Sequence, residues 1–174
     1  MTQLPWSRPS LLSIYLNDHL AGSTVGVELI RRAANNQRSE PWGPPLARLA
    51  TEIAEDRDAL LDIMRVLEIP TRTYKVYAGW IAEKAGRVKL NGHLLSRSPL
   101  SSVTELEGMR LGVEGKTSAW RTLRTLAEHD RRLDRTRLDD LLARATRQAE
   151  ELETARTQAS ELAFNGGTRR DVTS

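Results

Sequence analysis

The sequence predicts an all-α protein, a four-helix bundle built as two hairpins. Four long segments carry apolar residues at helical spacing. Within each pair the segments are joined by short polar or proline-rich breaks, whereas residues 69–98 separate the pairs. Aromatic residues are only 5% of the 174-residue chain, and β-branched residues are scattered, which argues against sheet.

Segment A spans about 10–35. Leu12, Tyr15, His19, Gly22, Gly26, Leu29, Ile30 and Ala33 recur at a helical period, and Asn35-Asn36 ends it. Ser39 to Pro45 forms a rigid turn rich in proline. Segment B, about 45–68, then opens with Pro45 near its first turn, where a missing N–H costs little. Its apolar face reads Leu46, Leu49, Ile53, Leu60, Leu61, Met64 and Leu67, and it stops before Pro70. Segment C, about 99–128, begins at a Ser98-Pro99 cap and continues through Leu106, Met109, Val113, Trp120 and Ala127. After a polar break, segment D, about 134–163, carries Leu138, Leu141, Ala145, Leu152, Ala155, Ala159 and Leu162. Residues 1–164 read as one domain and 165–174 as a disordered tail.

The connector 69–98 sets the topology. A helix of roughly 27 residues is about 40 Å long. If B and C run parallel, the chain must return along that length, which about 12 extended residues would span. The connector is longer than this. A short helix over about 74–87 fits within it, with Tyr74, Tyr77, Ile81 and Ala85 at helical spacing. An extended helical assembly with no shared core is the alternative.

These helix and connection lengths resemble the ferritin-like superfamily over roughly 10–164: an up-down four-helix bundle with one long B–C crossover. The resemblance implies a dinuclear metal centre with Glu-x-x-His on two helices. This chain departs from that pattern. Leu16, Leu90 and Leu126 stand three residues before His19, His93 and His129. A carboxylate-only set, Glu28, Glu52, Glu55, Glu114, Glu150 and Glu153, is the remaining candidate for a degenerate di-iron or di-manganese oxidase. At about 100° per residue these side chains diverge, with only Glu114 near a core edge. The expectation is therefore no metal, no cofactor and no catalytic residue.

Helical phase places other polar residues inside. His19, Arg57, Thr117 and Gln148, with Glu114 at the edge, are expected to form one buried polar layer. In it an Arg57 guanidinium would pair with Glu114 or Asp18, because an unpaired buried charge is costly. Arg57 reaching along a helix edge to water is the other reading. Gly22 and Gly26 point to close helix contact, or to a small-ligand pocket beside Tyr15, His19 and Trp120. Gly108, Gly112 and Gly115 cluster outside C's apolar stripe. They suggest a close-packed backbone there, either the crossover, anchored by Tyr74, Tyr77 and Trp80, or a second subunit.

The chain has 26 Lys and Arg against 23 Asp and Glu, spread along its length. A nucleic-acid footprint would cluster its bases. The run Arg131, Arg132, Arg135 and Arg137 is interrupted by Asp130 and Asp134 and reads as a solvated turn rather than a phosphate site. No signal-peptide pattern and no apolar run of about 20 residues is present. With no cysteine, a cytoplasmic setting is expected. The leading functional expectation is a non-catalytic bundle acting through self-association, as a dimer, or through an unknown protein partner. Nucleic-acid and membrane partners are not expected. The small-ligand binder near His19 and the degenerate oxidase are the alternatives.

Overall fold

The computed structural model describes residues 10–72 and 99–165. They form four helices: α1 (Leu11–Asn36), α2 (Gly43–Val66), α3 (Pro99–Leu126) and α4 (Arg135–Asn165). The proposed connector helix over 74–87, its aromatic anchors Tyr74, Tyr77 and Trp80, the Ser98 cap and residues 166–174 lie outside the described residues.

Helix ends follow local chemistry. Ser10 caps α1, its side chain accepting from the Ser13 N–H at 3.1 Å. Pro44 and Pro45 sit in the first turn of α2, where an N–H would have no partner. Just before them, Gln37 is buried. It accepts from Trp42 Nε1 at 2.5 Å and donates to Glu105 Oε2 at 2.9 Å, fastening the first turn to α3. Glu68 ends α2 with a φ of 58°, while the Ile69 N–H reaches back to the Met64 carbonyl at 2.8 Å. The second turn is held by Asp130 on Arg132 and by Arg135 donating to the Ala127 and Glu128 carbonyls. Arg137 reaches across to Asp62. Of the four arginines read as a solvated turn, three thus satisfy local or neighbouring groups.

The helices enclose one apolar core, including Leu16, Ile30, Leu46, Met64, Leu106, Trp120, Leu138 and Leu152. Helix directions follow from the pairs that meet. Tyr15 meets Thr122 while Gln37 meets Glu105, so α1 and α3 are antiparallel. Arg57 meets Thr24 and Pro70 meets Asn17, so α1 and α2 are antiparallel. Helices α2 and α3 therefore run parallel. The end of α2 and the start of α3 lie at opposite ends of the bundle. The α3–α4 hairpin packs closely, whereas α2 meets α4 with few close backbone approaches. Among the described residues no helix is long and apolar enough to cross a membrane.

The rotational phase of two helices corrects the sequence reading. On α1 the buried line is Ser13, Leu16, Leu20, Val27, Ile30 and Ala33. Leu12, Tyr15 and His19 are only partly buried, and Gly22 and Leu29 are exposed. On α2 the buried line is Leu46, Leu49, Ile53, Asp56, Leu60 and Ile63, alternating steps of three and four. Leu61 is only partly buried. Counting it as core turns the apparent centre of the face toward Arg57 and away from Asp56.

Candidate functional site

The carboxylate at the centre of the bundle is Asp56, whose side chain is 2% exposed. It sits on the core line of α2 between Ile53 and Leu60. Its Oδ2 accepts from Lys116 Nζ at 2.5 Å and from Gln148 Nε2 at 3.2 Å. Its Oδ1 is in ion-pair contact with Arg144. Gln148, fully buried on α4, also donates to Glu52 Oε2 at 3.0 Å and accepts from Lys116 at 2.5 Å. This uses the amide's oxygen and both its hydrogens. Arg144 continues outward to Glu55. Burial pushes the Lys116 ammonium below the ordinary lysine value, against the pull of Asp56, which raises it.

A polar layer thus exists, with a different membership from the one expected. Gln148 and Thr117 are buried, but the Thr117 hydroxyl is spent on the Val113 carbonyl of its own helix. Glu114 is exposed, because it lies one position past the buried Val113 on α3. Arg57 is neither buried nor paired with Glu114 or Asp18. Its side chain is 31% exposed, Nε donates to Thr24 Oγ1 at 3.1 Å and Nη1 to Asp58 at 3.2 Å. His19 is half-buried. Its ring meets Tyr15 edge-on at 4.5 Å, and it takes no part in the Asp56 cluster. Burial lowers its pKa while the neighbouring Asp18 opposes the shift. Asp56 and Lys116 were missed in the sequence. The three-four alternation along α2 carries the signal for Asp56. No comparable signal marks Lys116, which lies three residues after Val113 and four before Trp120 on the face turned toward α2.

The six glutamates of the metal alternative do not converge. Glu28, Glu55, Glu114 and Glu150 are exposed. Glu52 faces Gln148 and Arg147, and Glu153 is held by Arg156 and Arg110. Those arginines lower the Glu153 pKa, chiefly through the Arg156 hydrogen bond. Among the described residues no group of three or more His, Cys, Asp or Glu could hold a metal ion.

Beside the cluster, between α1 and α3, lies an open cavity of about 300 Å³. Its wall is apolar, formed by Ile30, Ile53, Leu60, Met109, Val113 and Trp120. Its charged margin is Asp18, Arg57, Asp56 and Lys116, with His19 beside them. Five glycines frame it: Gly22 and Gly26 from α1, and Gly108, Gly112 and Gly115 from α3. A Cβ built at any of the five would meet nothing within 4 Å among the described residues. The α3 glycines therefore form one margin of the space whose other margin is Gly22 and Gly26. Of the residues expected around a pocket, His19, Gly22, Gly26 and Trp120 line this one. Tyr15 does not, since its hydroxyl is turned to Thr122 Oγ1 at 3.2 Å.

No family model, curated protein or solved structure matches the chain.

Proposed function

We propose that this chain is a small-molecule-binding helical bundle that holds a largely apolar compound in the α1–α3 cavity. The observation that carries the reading is a cavity of about 300 Å³ framed by five glycines with open Cβ positions and backed by a buried charged cluster. Each glycine inside a helix costs up to about 1 kcal/mol relative to alanine. Five of them facing one space amount to a cost for which packing among the described residues offers no return. A volume of that size lies at the lower end of ligand pockets, and its mixture of apolar wall and a few polar groups is characteristic of them. The parallel course of α2 and α3 supports the ferritin-like connectivity, with residues 73–98 as the crossover. In this reading the cavity replaces a metal centre as the functional feature.

The test is thermal unfolding of the full chain with 1-octanol, octanoate and octylamine, beside a Gly26→Leu/Gly112→Leu variant. At least one probe should raise the wild-type midpoint and leave the filled variant unmoved. No shift with any of the three would mean the space is already occupied, as by residues 73–98, and would end the reading.

Self-association is the second reading, favoured by exposed leucines. Leu29 lines the cavity and is 48% exposed, and Leu111, among the α3 glycines in sequence, is 70% exposed. Sedimentation of wild type and Leu111→Glu decides it. A dimer that dissociates in the variant supports this reading, and a monomer at every concentration removes it.

A further inference from the structure

Two polar side chains on the cavity lining say what kind of molecule it takes. Trp120 is 1% exposed and lines the cavity, and its indole Nε1–H is buried with no hydrogen-bond partner. An indole nitrogen only donates, so it awaits an acceptor. A buried donor left unpaired is costly, and such groups are rare in folded proteins. One turn earlier on the same face of α3, Lys116 lines the same cavity. Its ammonium has three hydrogens and gives two, to Asp56 and Gln148. The third is unspent. Both margins of supply are donors, and at least one carries positive charge.

Neighbouring charge points the same way. The Asp56 charge is already matched: Oδ2 accepts from Lys116 and Gln148, and Oδ1, which has no hydrogen-bond partner, lies in ion-pair contact with Arg144. At the margin, Arg57 donates through Nε and Nη1 and keeps its remaining guanidinium hydrogens. An amine guest would find carboxylates in Asp18 and Asp56, but it would set another positive charge beside Lys116 and Arg57 and leave the indole donor unmatched. A neutral hydrocarbon would leave the indole and ammonium unsatisfied.

We infer that the cavity recognises an anionic amphiphile: a small monocarboxylic acid whose hydrocarbon body lies between the glycines and whose carboxylate accepts from Lys116 and Trp120. Lys116 supplies the charge-assisted bond, the stronger of the two. The Trp120 indole fixes the second oxygen. This rests on the binding reading above and narrows it to one chemical class.

Isothermal titration of the full chain with octanoate, 1-octanol and octylamine at neutral pH tests the class. Octanoate should bind about tenfold or more tighter than 1-octanol, the gain ordinarily brought by one charge-assisted hydrogen bond. Octylamine should bind more weakly than either. Trp120→Phe, which keeps an aromatic body and removes only the donor, should lose most of the octanoate preference while still binding 1-octanol. Lys116→Met risks folding because it orphans Asp56, so Lys116→Met/Asp56→Leu carries the charge test and should abolish the preference. Equal binding of octanoate and 1-octanol would overturn the carboxylate assignment and leave the cavity reading standing. Preference for octylamine would overturn it as well. No binding of any probe would remove both.

Discussion

Asp56 is a carboxylate in the middle of a leucine line, and its cost is met by three partners from two other helices. Lys116 comes from α3, and Arg144 and Gln148 from α4. Removing one partner of such a buried pair leaves the other charge unmatched, at a cost of about 3–5 kcal/mol. Asp56→Asn is therefore expected to destabilise the bundle by roughly that amount in urea unfolding. It also removes the groups that raise the Lys116 pKa most, so desolvation drives that ammonium toward neutrality. Asp56→Leu combined with Lys116→Met should recover most of the loss, because apolar isosteres of buried pairs are often neutral. A cost below about 1 kcal/mol for the single variant would mean that water already reaches the cluster. His19 gives a separate signature. Its folded pKa lies below its ordinary 6.5, so between the two values the unfolded chain holds more protons. Stability should rise with pH toward 6.5 and then level off, the contribution being lost on acidification. His19→Gln should flatten that slope, and an unchanged slope would assign it to carboxylates elsewhere.

At the scale of the helix, limits were legible in the sequence and rotation was not. Ser10, Pro44-Pro45 and the polar break near His129 announce ends because each answers to the unsatisfied backbone groups there. A residue's rotation depends on the whole apolar line, and one misplaced leucine shifts it. Including Leu61 put Arg57 at the centre of α2 when the adjacent Asp56 is there, a difference of about 100°. On α1 the same error arose from His19, Gly22 and Gly26, which border the cavity, and from Tyr15, which is only partly buried with its hydroxyl on Thr122. Glycine does not reveal in sequence whether its missing side chain admits another backbone or leaves space. The open Cβ positions make the second case testable. Gly22→Ala and Gly112→Ala should each raise stability in urea unfolding, by up to about 1 kcal/mol, through helix propensity alone. The same substitutions narrow the cavity, so probe binding should weaken as stability rises. A fall in stability at both positions would show that something does pack there.

Across the whole molecule, the two hairpins are joined along two different seams. Helices α1 and α3 meet beside the glycine-framed cavity. Helices α2 and α4 meet through a ladder of charges: Arg48 with Glu151, Glu52 with Arg147, Glu55 and Asp56 with Arg144, and Asp62 with Arg137. Apart from Arg48, the acids belong to α2 and the bases to α4. The field between them is thus directional and opposes a swap of hairpin partners. The outer rungs are exposed and worth little singly, up to about 1 kcal/mol each. Together they form a network that salt screens. Raising sodium chloride to about 1 M, where the screening length falls to about 3 Å, should lower the thermal midpoint. Arg137→Gln/Arg147→Gln should start lower and respond less, because the rungs that salt weakens are already gone. The buried Asp56 rung is screened far less and should survive in both proteins, keeping unfolding cooperative. A wild-type midpoint that climbs steadily with salt would mean that the seam is held by its few apolar contacts, with the ladder as surface decoration.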